Sequence, residues 1–469
     1  MTNFWDFKVW GLVNLVAVLL LSLLVANVLK RRIKFLKNSL IPTSVLGGLI
    51  LLIINAVYEA ITGTILFNTP FFAEEVEGQI SGMNALEIIT YHMLALGFIA
   101  SSLKSGKGKF TKQRTVEVFN TGVTTVATYL LQAVVGLGIT IVAAMLVKDF
   151  FAAAGILLPF GFGQGPGQAL NYGTIYESWS ETNYFVGGRS FGLTIAAMGF
   201  LSASIGGVIH LQIIKKKRKF TGASDVASRL SENAIQDEGE IPMNGSMDKM
   251  TVQIAFIVLA YFITHLLMYG IGLLLPGMRA VIYGFNFLFG VLAATLVKAI
   301  MNLLNKTKVV KRQYTNNFLL DRISNCCFDI MVVASIAAIR LDALKDYWAV
   351  LLILGVVGLV LTYIYNLWIA RTLFKDYSEE QFLMMYGMLT GTASTGVILL
   401  REIDGDFKTP AADNLVYQNF PAMVFGFPMM LLATLAPDQP MLTLGILVAF
   451  FLVMNIILFR SKIFKRKKK

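Results

Sequence analysis

Apolar residues gather along the chain into long uninterrupted runs, each closed by a short polar or basic stretch. The runs cover 9–29, 40–61, 84–103, 116–147, 188–214, 250–275, 280–304, 318–341, 348–374, 415–436 and 438–460. A helix needs about 20 apolar residues to cross the hydrocarbon core of a bilayer. A membrane barrel would instead show alternating stretches of roughly ten residues. The pattern therefore predicts an all-α polytopic membrane protein with about eleven transmembrane helices. Two Gly/Ser/Thr-rich stretches, 151–173 and 382–400, lie between the runs and are predicted to enter the membrane and return.

Composition agrees with that pattern. Of 469 residues, 56% are hydrophobic and 14% charged, whereas a soluble chain carries about 25% charged residues. Both a soluble and a disordered chain are excluded. The net charge of +12 is explained by topology and not by nucleic-acid binding. With eleven crossings, all the basic residues except Lys8, Lys148, Arg189, Arg279, Arg340 and Lys345 fall on one side. The positive-inside rule makes that side cytoplasmic. The expected location is a cell membrane, with the N-terminus outside and the basic tail inside. Lys30, Arg31 and Arg32 follow the first apolar run instead of preceding it, so that run is read as a signal anchor. A polybasic lipid contact is the alternative use of 462–469.

The only long polar segment, 215–248, passes from basic to acidic and is read as a cytoplasmic linker. It separates 1–214, with five crossings and the stretch 151–173, from 249–437, with five crossings and the stretch 382–400. An extra helix and basic tail, 438–469, follow. The two halves repeat one order of features, and the odd number of crossings turns the second half upside down. Inverted repeats of this kind are the plan of many secondary transporters.

Chemistry concentrates in the two Gly-rich stretches. The first contains Gly161, Gly163, Gly165 and Gly167 at alternate positions between Pro159 and Pro166, and the second Gly387, Gly391 and Gly396 among hydroxyl residues. The first cannot hold a continuous helix. Backbone broken at membrane depth exposes N–H groups suited to an anion and carbonyls suited to Na⁺. The expected substrate ligands are Gly163, Gln164, Gly165, Gly167, Gln168 and Asn171 from the first stretch. Thr390, Gly391, Thr392, Ser394 and Thr395 come from the second, with Arg401 as a fork for a substrate carboxylate. The expected ion ligands are Gly161, Gly396 and three residues of 318–341: Ser324, Asn325 and Asp329. A mid-membrane carboxylate such as Asp329 is costly to keep; the competing explanation is an ion pair with Arg401 or Arg189.

Three patches resemble the sodium/glutamate symporter family. Leu36-Lys37-Asn38-Ser39-Leu40-Ile41-Pro42-Thr43-Ser44-Val45-Leu46-Gly47-Gly48 is similar to that family's LKKxxIPxPVxGG after its first helix. His92-Met93-Leu94-Ala95-Leu96-Gly97-Phe98-Ile99-Ala100-Ser101-Ser102-Leu103 is the second patch, and the two Gly-rich stretches are the third. The family's GGxG stands here as Phe162-Gly163-Gln164-Gly165. The resemblance implies a 5+5 inverted repeat, a homodimer, an elevator-like motion and Na⁺-coupled uptake of an anionic amino acid such as glutamate.

Other readings stay open at this level. They are a citrate-type di- or tricarboxylate symporter, a cation/proton antiporter using Asp329 and, in another class, a channel with re-entrant loops. An enzyme is not expected: no nucleophile–base pair, HExxH or phosphate-loop motif occurs, so no catalytic residue and no cofactor are assigned, only Na⁺ or a proton as coupling ion. The histidines number three. His92 and His265 are read as packed groups in apolar helices, and His210 as interfacial. The adjacent Cys326 and Cys327 offer no disulfide framework.

Overall fold

The computed structural model describes residues 4–5, 7–73, 80–104, 111–180, 183–217, 247–309, 312–405 and 407–463. Most of the expected linker, 215–248, and most of the basic tail lie outside the described residues. Among those described, the regular structure is helical throughout. Helices start and stop where local chemistry directs. The Ser81 and Thr111 hydroxyls and the Asp248 carboxylate accept backbone N–H groups at three N-termini, supplying partners a free helix end lacks. Gly63, at φ +72°, ends another helix in the left-handed region.

Nine helices among the described residues are long and apolar enough to cross a membrane, or ten when the bent pair Ala411–Tyr417 and Pro421–Leu435 counts as one span. They account for ten of the eleven expected runs. The eleventh, 318–341, forms the helix Asn317–Ala337; Asp321, Arg322 and Asp329 set its composition apart from the others.

The chain forms two compact units, each drawing on sequence from both sides of residue 215. The first comprises Met1–Leu20, Phe67–Lys109 and Asp225–Ala334. It contains α4 (Gly82–Leu103), α9 (Lys249–Leu274), the short α10 (Arg279–Gly284), α11 (Asn286–Lys306) and most of α12 (Asn317–Ala337). Its core is Ile99, Ala100 and Leu103 of α4 against Ile257, Ala260, Ala293, Ala294, Val297 and Leu320.

The second unit comprises Leu21–Leu66, Phe110–Ser224 and Ser335–Lys469. Its central element is α5 (Lys112–Leu146), 35 residues long. At 1.5 Å per residue it is about 50 Å long and outreaches a ~30 Å hydrocarbon core. Around it pack α13 (Trp348–Leu373), α17 (Asn419–Leu435), α18 (Pro440–Leu458) and α6 (Leu157–Phe162). The helix α8 (Gly188–Lys217) lies against α6, α7 (Pro166–Glu177), α13 and α14 (Ser378–Thr390).

Both interrupted stretches fold as helical hairpins. The arms α6 and α7 are 6 and 12 residues long, and α14 and α15 (Ala393–Arg401) are 13 and 9. None reaches the ~20 residues of a crossing. In the first hairpin the Phe160 and Tyr172 rings stack at 3.8 Å. In the second, a Cβ on Gly387 would lie 2.8 Å from Gly396 Cα, so these glycines let the two arms touch backbone to backbone.

Candidate functional site at the hairpin tips

Each hairpin breaks over two or three residues. In the first, α6 ends at Phe162 and α7 starts at Pro166; Gly165 precedes it at φ +88°, ψ 178°. That region of backbone space is essentially restricted to glycine, and Pro166 fits the first helical position because it has no N–H to leave unpaired. In the second, Gly391 and Thr392 separate α14 from α15. The tips meet within the second unit. A Cβ on Gly165 would stand 3.7 Å from the Gly391 carbonyl oxygen and 3.8 Å from Thr392 Cγ2. Two helix N-termini, of α7 and α15, and two C-termini, of α6 and α14, therefore converge at one place. The first pair offers partial positive charge and N–H donors, the second carbonyl acceptors.

Helices α5 and α8 hold the tips together. Tyr129 of α5 donates its hydroxyl to the Gly163 carbonyl at 3.1 Å. One turn on, Gln132 donates Nε2 to the Leu389 carbonyl at 3.0 Å and to the Thr362 hydroxyl at 2.9 Å. On α8, a Cβ at Gly199 would lie 2.6 Å from the Thr390 carbonyl oxygen and 3.2 Å from Phe162 Cα. A bare backbone is what lets both hairpins seat on this helix.

The site has unused polar capacity. Gln164 and Gln168 each have buried Nε2 and Oε1 atoms with no hydrogen-bond partner, as does Gln132 Oε1. Gln168 is 2% exposed. An unpaired buried amide atom costs about 1–3 kcal/mol, so five at one locus form a site whose partners a ligand would supply. The inventory contains donors and acceptors together: NH₂ groups for an anion, amide oxygens for a cation. Thr392 and Thr395 pair hydroxyl to hydroxyl at 3.3 Å. Ser394 is exposed, so the first turn of α15 opens to the surroundings.

The expected substrate residues divide accordingly. Gly163, Gln164, Gly165, Gly167, Gln168, Gly391, Thr392, Ser394 and Thr395 all lie in the tips or in the first turns after them. Asn171 is buried in α7. Thr390 closes α14 and commits its hydroxyl to the Tyr386 carbonyl at 2.6 Å, leaving its backbone for the site. Arg401 lies at the opposite end of α15, about 12 Å from the tip by helical rise, with its guanidinium over the Phe407 ring at 5.3 Å.

Among the expected ion ligands, Gly161 faces Ile195 and Ala196 of α8, and Gly396 forms the crossing of its hairpin; both are close-contact glycines. Ser324, Asn325 and Asp329 belong to the first unit. Ser324 donates to the Gly97 carbonyl at 2.9 Å, while Asn325 and Asp329 are exposed on the same face of α12. Arg189 pairs with Glu177 at 2.8 Å.

Tyr129, Gln132 and Thr362 were not anticipated as site residues. A sequence signal exists for Gln132, because Glu117, Thr121, Thr125, Thr128 and Gln132 recur every three or four residues along α5. Each has a partner across the second unit: Tyr377, Gln381, Gln418, Asn366 and Thr362 respectively. His92 bonds Tyr261 at 2.6 Å through Nδ1, and His210 is packed in the protein interior, 1% exposed.

No protein-family model matches the chain, and no curated protein matches it.

Proposed function

We propose that the chain is a secondary active transporter that takes up glutamate or a related anionic amino acid or carboxylate together with Na⁺. The observation that carries this reading is the meeting of two broken hairpins around buried glutamine amides without partners. Two helix N-termini and the amide NH₂ groups suit a carboxylate; helix-end carbonyls and amide oxygens suit Na⁺. Each ligand would satisfy groups that the other leaves unpaired, which is a physical basis for coupling. An ion that binds only alongside the substrate favours the doubly loaded state, because coupling is a difference in affinity between states.

Both hairpins and the helices behind them belong to one compact unit. An elevator-like transporter requires this, since its substrate site must travel as one body, and the first unit would then be the scaffold. The resemblance to the sodium/glutamate symporter family, with its inverted repeat and homodimer, supports the same reading.

Uptake of radiolabelled L-glutamate into proteoliposomes, with and without an inward Na⁺ gradient, tests it. Accumulation above equilibrium that collapses when Na⁺ is equal on both sides is the expected result. Absence of uptake under both conditions, for glutamate and for a panel of di- and tricarboxylates, would overturn it.

A further inference from the structure

Away from the tips, the foot of the second hairpin holds an ionisable cluster around a buried histidine that the proposed transport cycle does not use. His210 lies in the last turns of α8 and is 1% exposed. Both ring nitrogens are engaged: Nδ1 with the Tyr363 hydroxyl at 2.7 Å and Nε2 with Glu379 Oε2 at 2.6 Å. The Phe382 ring covers the imidazole at 4.2 Å. Glu379 stands in the first turn of α14, where a helix N-terminus favours negative charge, and its other oxygen meets Arg371 at 3.4 Å. About two turns back along α8, Tyr386 of α14 donates its hydroxyl to the Ser202 carbonyl at 2.8 Å. Among the described residues, the charged and titratable groups bonded to or packed with the imidazole and its partners are Tyr363 and Arg371 from α13 and Glu379 and Tyr386 from α14; Leu211, Ile214, Leu383 and Leu399 belong to the same cluster.

We propose that the His210–Glu379 pair is a proton-binding site that sets how tightly the second hairpin is fastened to α8 and α13. With a proton on both ring nitrogens, the imidazolium donates to the carboxylate and to the Tyr363 oxygen at once. Charge-assisted bonds of this kind are roughly twice as strong as neutral ones. When the imidazolium releases its proton, one ring nitrogen becomes an acceptor. Either the Tyr363 hydroxyl turns to donate, or the bond to Glu379 is lost. The hydrogen bond from His210 holds the Glu379 carboxyl below its usual range against burial, with Arg371 adding to the effect. Imidazole is the side chain whose ordinary titration range lies nearest neutral pH, which makes the ring the natural proton carrier of the pair. Because Glu379 begins the arm that ends at Thr390, a change at the foot is transmitted along α14 to the tip.

The test does not require transport, so it succeeds or fails independently of the proposed symport. With three histidines in the chain, ¹⁵N-histidine NMR of the protein in nanodiscs identifies His210 by the signal that disappears in His210→Gln. The expected result is an imidazolium-to-imidazole change at His210 between pH 5 and pH 9 that moves in Glu379→Gln. In parallel, hydrogen exchange of 378–401 is measured relative to 157–177 in the same sample, which cancels the chemical pH dependence. That ratio should fall several-fold from pH 8 to pH 6 in the parent protein and stay flat in both variants, with His92→Gln behaving as the parent. A His210 signal that keeps one protonation state, or a ratio equally flat in the parent, would overturn the proposal.

Discussion

At the residue scale, the glutamines of the first hairpin separate binding from folding. Gln168 carries two buried amide atoms without partners, a cost borne by the ligand-free protein. Methionine has a similar volume and no amide to satisfy. Gln168→Met should therefore raise the unfolding free energy of the ligand-free protein by about 1–3 kcal/mol, seen as a higher midpoint in a thermal melt, while abolishing uptake. A variant that melts lower and still transports would remove Gln168 from the site. Asp404, in the turn after the second hairpin, is the opposite case, because its partners are all present. Burial would raise its carboxyl, but the Thr409 hydroxyl and the backbone N–H groups of Thr409 and Lys408 outweigh this and hold it below the usual carboxylate range. A group depressed in the folded state stabilises above its unfolded value, about 3.9 for Asp, and loses that contribution as pH falls through the folded value. Asp404→Asn should cost about 1 kcal/mol near pH 7, and the difference from the parent should shrink toward pH 3. An equal difference at both pH values would show that the carboxylate charge is not what holds the turn.

At the element scale, the hairpins depend on a few backbone positions that admit no side chain. Gly165 has dihedrals essentially closed to other residues, so Gly165→Ala should cost about 1–3 kcal/mol and displace the first tip from Gly391. Uptake should fall more steeply than stability, which a melt and a transport assay on the same preparation will separate; unchanged uptake would mean the contact between tips is dispensable. The break in the first hairpin was legible in the sequence, because four alternate glycines and two prolines do not sustain one continuous helix. The hydrogen bonds that position the hairpins were not. Gln132 stands in a legible polar row along α5, but the groups it bonds, Leu389 and Thr362, follow only once α5 is placed beside them. Arg401 shows the converse, since nearness in sequence to the second tip suggested nearness in space, whereas nine helical residues carry it away. Glycines mislead in a similar way: Gly161 and Gly396 have the signature of a broken helix but act as contact surfaces between helices.

At the scale of the whole molecule, the long crossings were legible because length and apolarity suffice to define them, while their total depends on the least apolar one, α12. Its residues Asp321, Arg322, Asn325, Cys326 and Asp329 form one exposed face, and Leu320, Ser324, Cys327, Met331 and Val332 are buried. Such a helix is amphipathic in a way that lipid alone does not reward, because charged groups within a bilayer face protein or water. The parity of the chain decides whether it crosses. Among the described residues, nine helices long and apolar enough to cross, with the bent pair counted as one more, would give ten spans and put both termini on one side. With α12 there are eleven, and the termini lie on opposite sides. The positive-inside rule argues for the odd number, because eleven crossings collect the Lys/Arg excess on one face. Reporter fusions at the two ends should consequently behave oppositely: a fluorescent protein at the C-terminus should mature in the cytoplasm, and alkaline phosphatase at the N-terminus should be active outside. Reporters on the same side would make the number of crossings even. α12 would then lie outside the set of crossings, and the inverted repeat, which needs it as the counterpart of α4, would fall with it.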